Sequence, residues 1–532
     1  MTRPSTSMWA YPLALFFLGL LAFFNAIRHP FVHDDVVFIL HNPHITELGR
    51  WYEAFQLPAA SDGINVYYRP VLEVLYRLEY YFFGPHPYGF HLFNIGVHII
   101  NGLLIFSLLR KLALSEVAAW VIACIFLIHP LQTEAVSCIA GISNLWMALG
   151  VLLALNAYLN KWYLASFLCF VMAFLSKEQA VMFVPLIIVI DYYRGSKSFR
   201  SWFLWALSAC ALLCLRQVIT GGSMLKEIML SPGELYLRLA AIPRDIGMYL
   251  RLIICPYDLH YYRSTDILQP NSAAWGFLVM SMVGIFYVFN RWPQSRKTLI
   301  LGLGWFLAAL CPVLNIAPLI NEYSFILTPE HFLYLPIVGI LIIIVTTFYS
   351  LPLVGRVREG VLILILTVCL SLTWFQNTFW SNEIVLFERM LRYEPDFGRG
   401  QLLLAKAYYF NGRPEQAESH FKRAFEIMTN YAKKATNLTA EKFYLGFEKE
   451  ILFDWAQNES AMGQWPQALK KYKQATLIDA KDASLYNNIA FVYLHMGDKN
   501  NAYLSLEEAL HVDPSFIQAK QNLNTLNTIL KK

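Results

Sequence analysis

Apolar stretches long enough, or nearly long enough, to cross a bilayer recur from the N-terminus to about residue 377, and a chain built this way must place them in lipid. They lie near residues 8–27, 90–109, 115–130, 143–160, 162–176, 178–193, 201–219, 272–290, 299–318, 331–349 and 359–377. Across 532 residues, 57% are hydrophobic and only 15% charged, which excludes an ordinary soluble enzyme. The aromatic share of 15% suits rings lodged at the bilayer interfaces. No small-residue cleavage site follows the first stretch, so it reads as a retained helix, not a signal peptide. The eight cysteines sit mostly in or beside apolar runs without a C-x-x-C pair, as small hydrophobes do.

Basic loops set the expected orientation. "RK" at 110–111, "RGSKSFR" at 194–200, "RWPQSRK" at 291–297 and "GRVREG" at 355–360 belong on the cytoplasmic side. A net charge of +5 is small for this length, and topology explains its distribution better than nucleic-acid binding does. The segment 236–256 carries Arg238, Arg244, Asp245 and Arg251 and is expected to be interfacial or re-entrant on the outer face. The expected fold is therefore all-α, a polytopic bundle of about eleven spans over residues 1–380 with its N-terminus inside. The loops 28–89, 129–144, 176–179, 220–271 and 321–331 then share the outer face with everything after residue 378.

The remainder, 381–532, is polar and periodic. Gly463, Ala468 and Ala475 recur 34 residues later as Gly497, Ala502 and Ala509, and Ala490, Tyr493 and Pro514 occupy further positions of the tetratricopeptide pattern. An earlier copy, Ala405, Tyr408, Gly412, Ala417, Phe421 and Ala424, is displaced from the second by 51 residues, or 34 plus an insertion of 17 around "TNLTAEKF". Small residues at fixed offsets let paired helices approach closely, so this part is expected to be an α-solenoid that docks protein partners.

The polar residues of the membrane part concentrate on the expected outer face. Asp34 and Asp35 are adjacent, so their side chains diverge and cannot share one task. One carboxylate can take a proton from an attacking hydroxyl while the other holds the acceptor or a cation; the alternative is an acidic helix cap. In "FHLFNIGVHIIN", His91, Asn94, His98 and Asn101 share one helical face, either as interhelical hydrogen-bonding groups or, for His91 at the outer end, as part of a site. Arg69, His129, Glu134, Lys177, Glu178, Glu330 and His331 add cations and carboxylates at the bundle mouth. That mixture suits a substrate bearing a phosphate at membrane level. No P-loop, dinucleotide fingerprint, H-E-x-x-H or G-x-S-x-G is present, and no cofactor is certain; a divalent metal stays open.

The stretches "HDDVVFILHNP", "YYRPVLEVLYRL", "HLFNIGVHIINGLL", "HPLQTEAVSCIAGISNLWMAL", "FLSKEQAVMFVPLIIVIDYY", "CPVLNIAPL" and "EHFLYLPIVG", followed by the repeats, resemble the GT-C superfamily of membrane glycosyltransferases. Within it, the chain looks like the transmembrane-and-tetratricopeptide-repeat protein O-mannosyltransferases and their bacterial relatives. The resemblance implies inverting transfer of a mannose-like hexose from a polyprenyl-phosphate donor to an acceptor hydroxyl, with Ser/Thr of a protein as the expected acceptor and a glycan or lipid as the alternative. It implies Asp34 or Asp35 as base, with Arg69 in the same loop architecture and Glu330 and His331 where relatives carry a Glu-Arg pair near the lipid phosphate. His331 departs from that pair, so Lys177, Arg263 or a protonated His331 are the options for holding the phosphate. The compartment implied is a bacterial inner membrane with periplasmic repeats, or an endoplasmic reticulum membrane with lumenal repeats. The competing reading is a non-catalytic scaffold whose repeats recruit envelope or secretion partners.

Overall fold

The computed structural model describes residues 9–56, 68–196, 198–220, 232–266, 272–314, 325–434 and 438–530. The end of the expected 299–318 span and residues 321–324 of the 321–331 loop fall outside them, as do 221–231 and 267–271 of the outer-face region 220–271. Contacts divide the chain into two compact units, Met1–Asn382 and Glu383–Lys532.

The first unit is helical. In order it contains α1 (Ala10–Phe23), α2 (Pro70–Phe83), α3 (Pro87–Lys111), α4 (Glu116–Ile128), α5 (Thr133–Ser137), α6 (Ile142–Leu159) and α7 (Tyr163–Ser176). There follow α8 (Phe183–Arg194), α9 (Phe199–Ile219), α10 (Pro232–Ile254), α11 (Ser272–Arg291), α12 (Arg296–Leu310), α13 (Ile337–Ser350) and α14 (Gly355–Asn377). Helices α1, α4 and α6 pack around α3, whose polar stripe explains the arrangement. Asn94 donates to the carbonyls of Val136, Cys138 and Ile139, and Asn101 donates to the carbonyl of Leu145 and the hydroxyl of Tyr334. His98 sits between the Tyr334 hydroxyl, at 2.7 Å, and the Leu127 carbonyl, at 3.1 Å. The stripe is interhelical hydrogen bonding, as lipid-averse side chains in a bundle require.

The span count is lower than the sequence suggests. Among the described residues six helices are long and apolar enough to cross a membrane, or seven if Glu116–Ile128 and Pro130–Ser137, which meet at 53°, form one broken span. The expected stretches 162–176 and 178–193 become helices of 14 and 12 residues. At 1.5 Å per residue, 14 residues rise about 21 Å, against about 30 Å of hydrocarbon. Between them the chain leaves the α-helix for a tight 3-10 turn over Glu178–Met182 that carries polar residues. An apolar run in sequence therefore overstates the helix inside it. Segment 236–256 forms most of α10, one continuous helix of 23 residues with Pro243 inside it, and does not turn back on itself. Several apolar helices remain, consistent with a multi-pass membrane bundle.

Two short strands, β1 (Ser264–Asp266) and β2 (Phe325–Leu327), pair antiparallel with Ser264 opposite Leu327. The pairing continues as the Thr328 amide donates to the Arg263 carbonyl, so the segments 258–263 and 328–331 lie side by side.

The second unit comprises α15 (Glu383–Tyr393), α16 (Gly398–Phe410), α17 (Pro414–Lys434), α18 (Leu438–Ala461), α19 (Trp465–Ile478), α20 (Ala483–His495), α21 (Lys499–Val512) and α22 (Ile517–Leu530). Gly412, Gly463 and Gly497 occupy equivalent turns with φ of +70°, +72° and +81°, where a side chain would be strained. Ala417, Ala468 and Ala502, with Ala424, Ala475 and Ala509, are fully buried where helices touch. Phe421, Tyr472 and Leu506 fill the adjoining grooves. The 17-residue insertion is absorbed as extra turns: α17 has 21 residues and α18 has 24, against 13 and 14 in α16 and α19.

Candidate functional site

The acid pair follows α1 at the start of a short helical turn entered through His33, whose φ of +47° is unusual for a residue with a side chain. The turn brings Asp35 back onto its own backbone, where it accepts the Val32 amide at 3.1 Å. Its other oxygen accepts the Ala140 amide at 2.7 Å and the Cys138 thiol at 3.5 Å. Asp35 is fully buried. Burial pushes its carboxyl up to about 7, helped by the neighbouring Asp34 charge and opposed by the two amides. Asp34 points elsewhere: its side chain is 42% exposed, with His33 Nε2 at 3.4 Å from one oxygen and the Tyr261 hydroxyl donating to the other at 3.3 Å. The pair is thus divided into an anchoring carboxyl and an accessible one.

The Asp35 carboxyl holds its proton more tightly in the folded chain than in the unfolded one. Its stabilising contribution is full below the ordinary value of 3.8 and is lost as pH rises through about 7. The thermal midpoint of the wild type should therefore fall relative to that of Asp35→Asn, which cannot ionise, between pH 5 and pH 8. A pH-independent difference would show that this carboxyl is not buried in its protonated form.

A second cluster gathers around Glu178, immediately after α7. Arg69, at the residue before α2, grips it with Nε at 3.4 Å and Nη2 at 3.0 Å, and Arg216 of α9 approaches to 3.6 Å. Burial alone would raise Glu178, but the two guanidiniums outweigh it and hold it well below the usual carboxylate range. Lys177 points to Asn144, with Nζ to Oδ1 at 2.7 Å, and lies 5.9 Å from the centre of the Phe332 ring. Burial and the nearby Arg69 charge lower its ammonium to about 7, although Glu178 and Glu134 favour the charged form. Lys177 has no carboxylate within ion-pair distance among the described residues. Two guanidiniums thus share the Glu178 carboxylate, with the Lys177 ammonium held close by on Asn144.

The third cluster joins these two. Glu134 of α5 takes the His331 ring at 2.8 Å and its backbone amide at 2.8 Å. The adjacent Glu330 accepts the His260 amide at 2.6 Å, with Arg263 Nη2 at 3.9 Å. Burial and the Glu134 charge raise Glu330 well above its ordinary value. Arg251 makes a two-pronged contact with Asp258 at 3.0 and 2.8 Å, and Arg263 reaches the same carboxylate at 3.4 Å. The segment 258–263 therefore touches the acid pair through Tyr261 and the buried ion network through His260, Asp258 and Arg263.

Of the residues expected from sequence, Asp34, Asp35, Arg69, Glu134, Lys177, Glu178, Arg263, Glu330 and His331 fall into these three clusters. His91 and His129 do not. His91 Nε2 meets the His29 carbonyl at 3.1 Å, and His129 spans the Ile253 carbonyl at 3.0 Å and the Leu131 amide at 3.2 Å. His129 thus uses both ring nitrogens on backbone, whereas His91 uses Nε2 and keeps a buried Nδ1 without a hydrogen-bond partner. Arg216, Arg251, Asp258 and Tyr261 were not anticipated. Arg216 carried a usable signal, a cation near the end of an apolar run; the other three lie in a segment without a motif. Among the described residues no group of three or more His, Cys, Asp or Glu side chains is placed to hold a metal ion.

A TPR repeat family profile matches residues 459–497, and a tetratricopeptide repeat profile matches 399–428 and 483–516. The chain is 24% identical over 440 residues to a protein O-mannosyl-transferase of Caenorhabditis elegans, covering 79% of this chain and 63% of that relative. It is 24% identical over 478 residues to protein O-mannosyl-transferase TMTC4 of Homo sapiens, covering 74% of this chain and 62% of the relative. The chain is distantly homologous to these proteins and spans less than two thirds of their length. Among solved structures, MamA is 20% identical with a TM-score of 0.23, covering 27% of this chain and 74% of that one.

Proposed function

We propose that the membrane unit transfers a hexose from a polyprenyl-phosphate donor to an acceptor hydroxyl, with mannose to a protein Ser or Thr as the leading case. The observation that carries this reading is the division of the acid pair beside a buried cluster of cations, Lys177, Arg69 and Arg216. Asp34 takes the proton of the acceptor hydroxyl as its oxygen bonds to the anomeric carbon. The bond from that carbon to the phosphate oxygen breaks, and the polyprenyl phosphate leaves with the electron pair. Attack opposite the leaving group inverts the anomeric centre. Asp35 holds the loop at Ala140 and thereby aims its neighbour.

Lys177, Arg69 and Arg216 hold the phosphate in this reading. Arg69 and Arg216 share the Glu178 carboxylate, and an anion arriving beside Lys177 favours its charged form. Lys177→Met should cost about 1.5–3 kcal/mol of donor affinity, the worth of one charge-assisted hydrogen bond. Donor titration of the purified variant measures it, and unchanged affinity would move the phosphate to Arg263.

The repeats dock the acceptor protein or its carrier in the periplasm or the lumen of the endoplasmic reticulum. Assay of the full chain against a panel of polyprenyl-phosphate sugars and acceptors tests the reading. A chain truncated after Asn382 should keep transfer to a free or short acceptor and lose most transfer to the protein acceptor, because tethering raises local acceptor concentration. Capture of protein partners by the repeats with no transfer from any donor would instead support the scaffold.

A further inference from the structure

At the end of the bundle formed by the loops 194–200 and 291–297, a groove opens between α8, α9 and α12. Its volume is about 400 Å³, and its walls include Ile188, Tyr192, Phe199, Trp202, Ile300 and Gly304. Tyr192 and Phe199 are 63% and 69% exposed, so among the described residues no side chain covers these two rings. The one carboxylate nearby, Asp191, is buried and occupied by the Tyr158 hydroxyl at 2.8 Å and the Trp202 indole at 2.9 Å.

The rim has the opposite character. Arg194 lies two residues beyond Tyr192, Arg200 follows Phe199, and Lys297 lies one turn before Ile300. All three are exposed, and none has an acidic partner among the described residues. The loops 192–200 and 291–298 contain no Asp or Glu. Arg296, by contrast, is engaged, donating to the Phe289 carbonyl at 2.9 Å. An apolar channel in a membrane protein takes an acyl chain, and unpaired cations at its mouth select the head group above it. We propose that this groove binds an anionic glycerophospholipid, with an acyl chain between α8, α9 and α12 and its phosphate against Arg194, Arg200 and Lys297.

Native mass spectrometry of the purified full chain, titrated with phosphatidylglycerol and with phosphatidylcholine of the same chains, tests this. The wild type should retain phosphatidylglycerol at least about tenfold better, and the preference should vanish in Arg194→Gln/Arg200→Gln/Lys297→Gln, at about fivefold per cation removed. Filling the groove from its exposed edge with Ile300→Trp should weaken phosphatidylglycerol about tenfold with every cation intact. That site is gentler than Gly304, where a Cβ would stand 2.9 Å from Val189 Cγ1. Free glycerol phosphate, which lacks the chain, should not compete and gives a readout that needs no variant. Equal retention of the two lipids, competition by glycerol phosphate, or displacement of phosphatidylglycerol by equimolar polyprenyl phosphate would each overturn the proposal.

Discussion

Asp34→Asn should lower sugar transfer by about 10²–10⁴-fold, the usual cost of removing a positioned general base. Expression, insertion and thermal midpoint should stay near wild type, because the Asp34 side chain is 42% exposed and anchors no buried amide. The neighbouring substitution is expected to behave differently. In Asp35→Ala the Val32 and Ala140 amides lose their acceptor, and a buried unsatisfied group costs about 1–3 kcal/mol. Transfer by single turnover and melting by fluorescence separate the two. Full turnover in Asp34→Asn would place the base elsewhere, with Glu134 the first alternative.

The largest effect on stability is expected at Glu178. This carboxylate neutralises Arg69 and Arg216 where water is scarce. Glu178→Gln removes the carboxylate that both guanidiniums share, and breaking a buried ion pair from one side costs about 3–5 kcal/mol. Arg216→Met should cost less, since Glu178 keeps the two-pronged contact with Arg69. Thermal unfolding in one detergent at pH 7 ranks them. A Glu178→Gln midpoint equal to wild type would show that the carboxylate does not bind these cations in the folded protein.

The periodic parts of the chain were legible because their signal is local. The 34-residue spacing of Gly463 and Gly497 identified the solenoid, since each repeat packs mainly on its neighbour. Span number was not, because the apolar runs 162–176 and 178–193 hold helices of only 14 and 12 residues, too short to cross the hydrocarbon. The acid pair was visible as a pair, and adjacency alone required its members to diverge. Which one turns inward depends on an amide 105 residues away, at Ala140, delivered by the broken helix after Pro130. The same limit explains His91 and His129, whose partners are backbone groups that leave no trace in side-chain identity. Tyr261 and Asp258 matter through the pairing of β1 with β2, three residues each.

The most direct measurement of the central claim is the fate of a β-linked polyprenyl-phosphate hexose incubated with the purified full chain and a Ser/Thr acceptor. The account predicts release of polyprenyl phosphate in step with an α-linked glycoside on the acceptor hydroxyl, and loss of both products together in Asp34→Asn. A β-linked product, or a donor that stays bound and intact through the incubation with acceptor present, would contradict it.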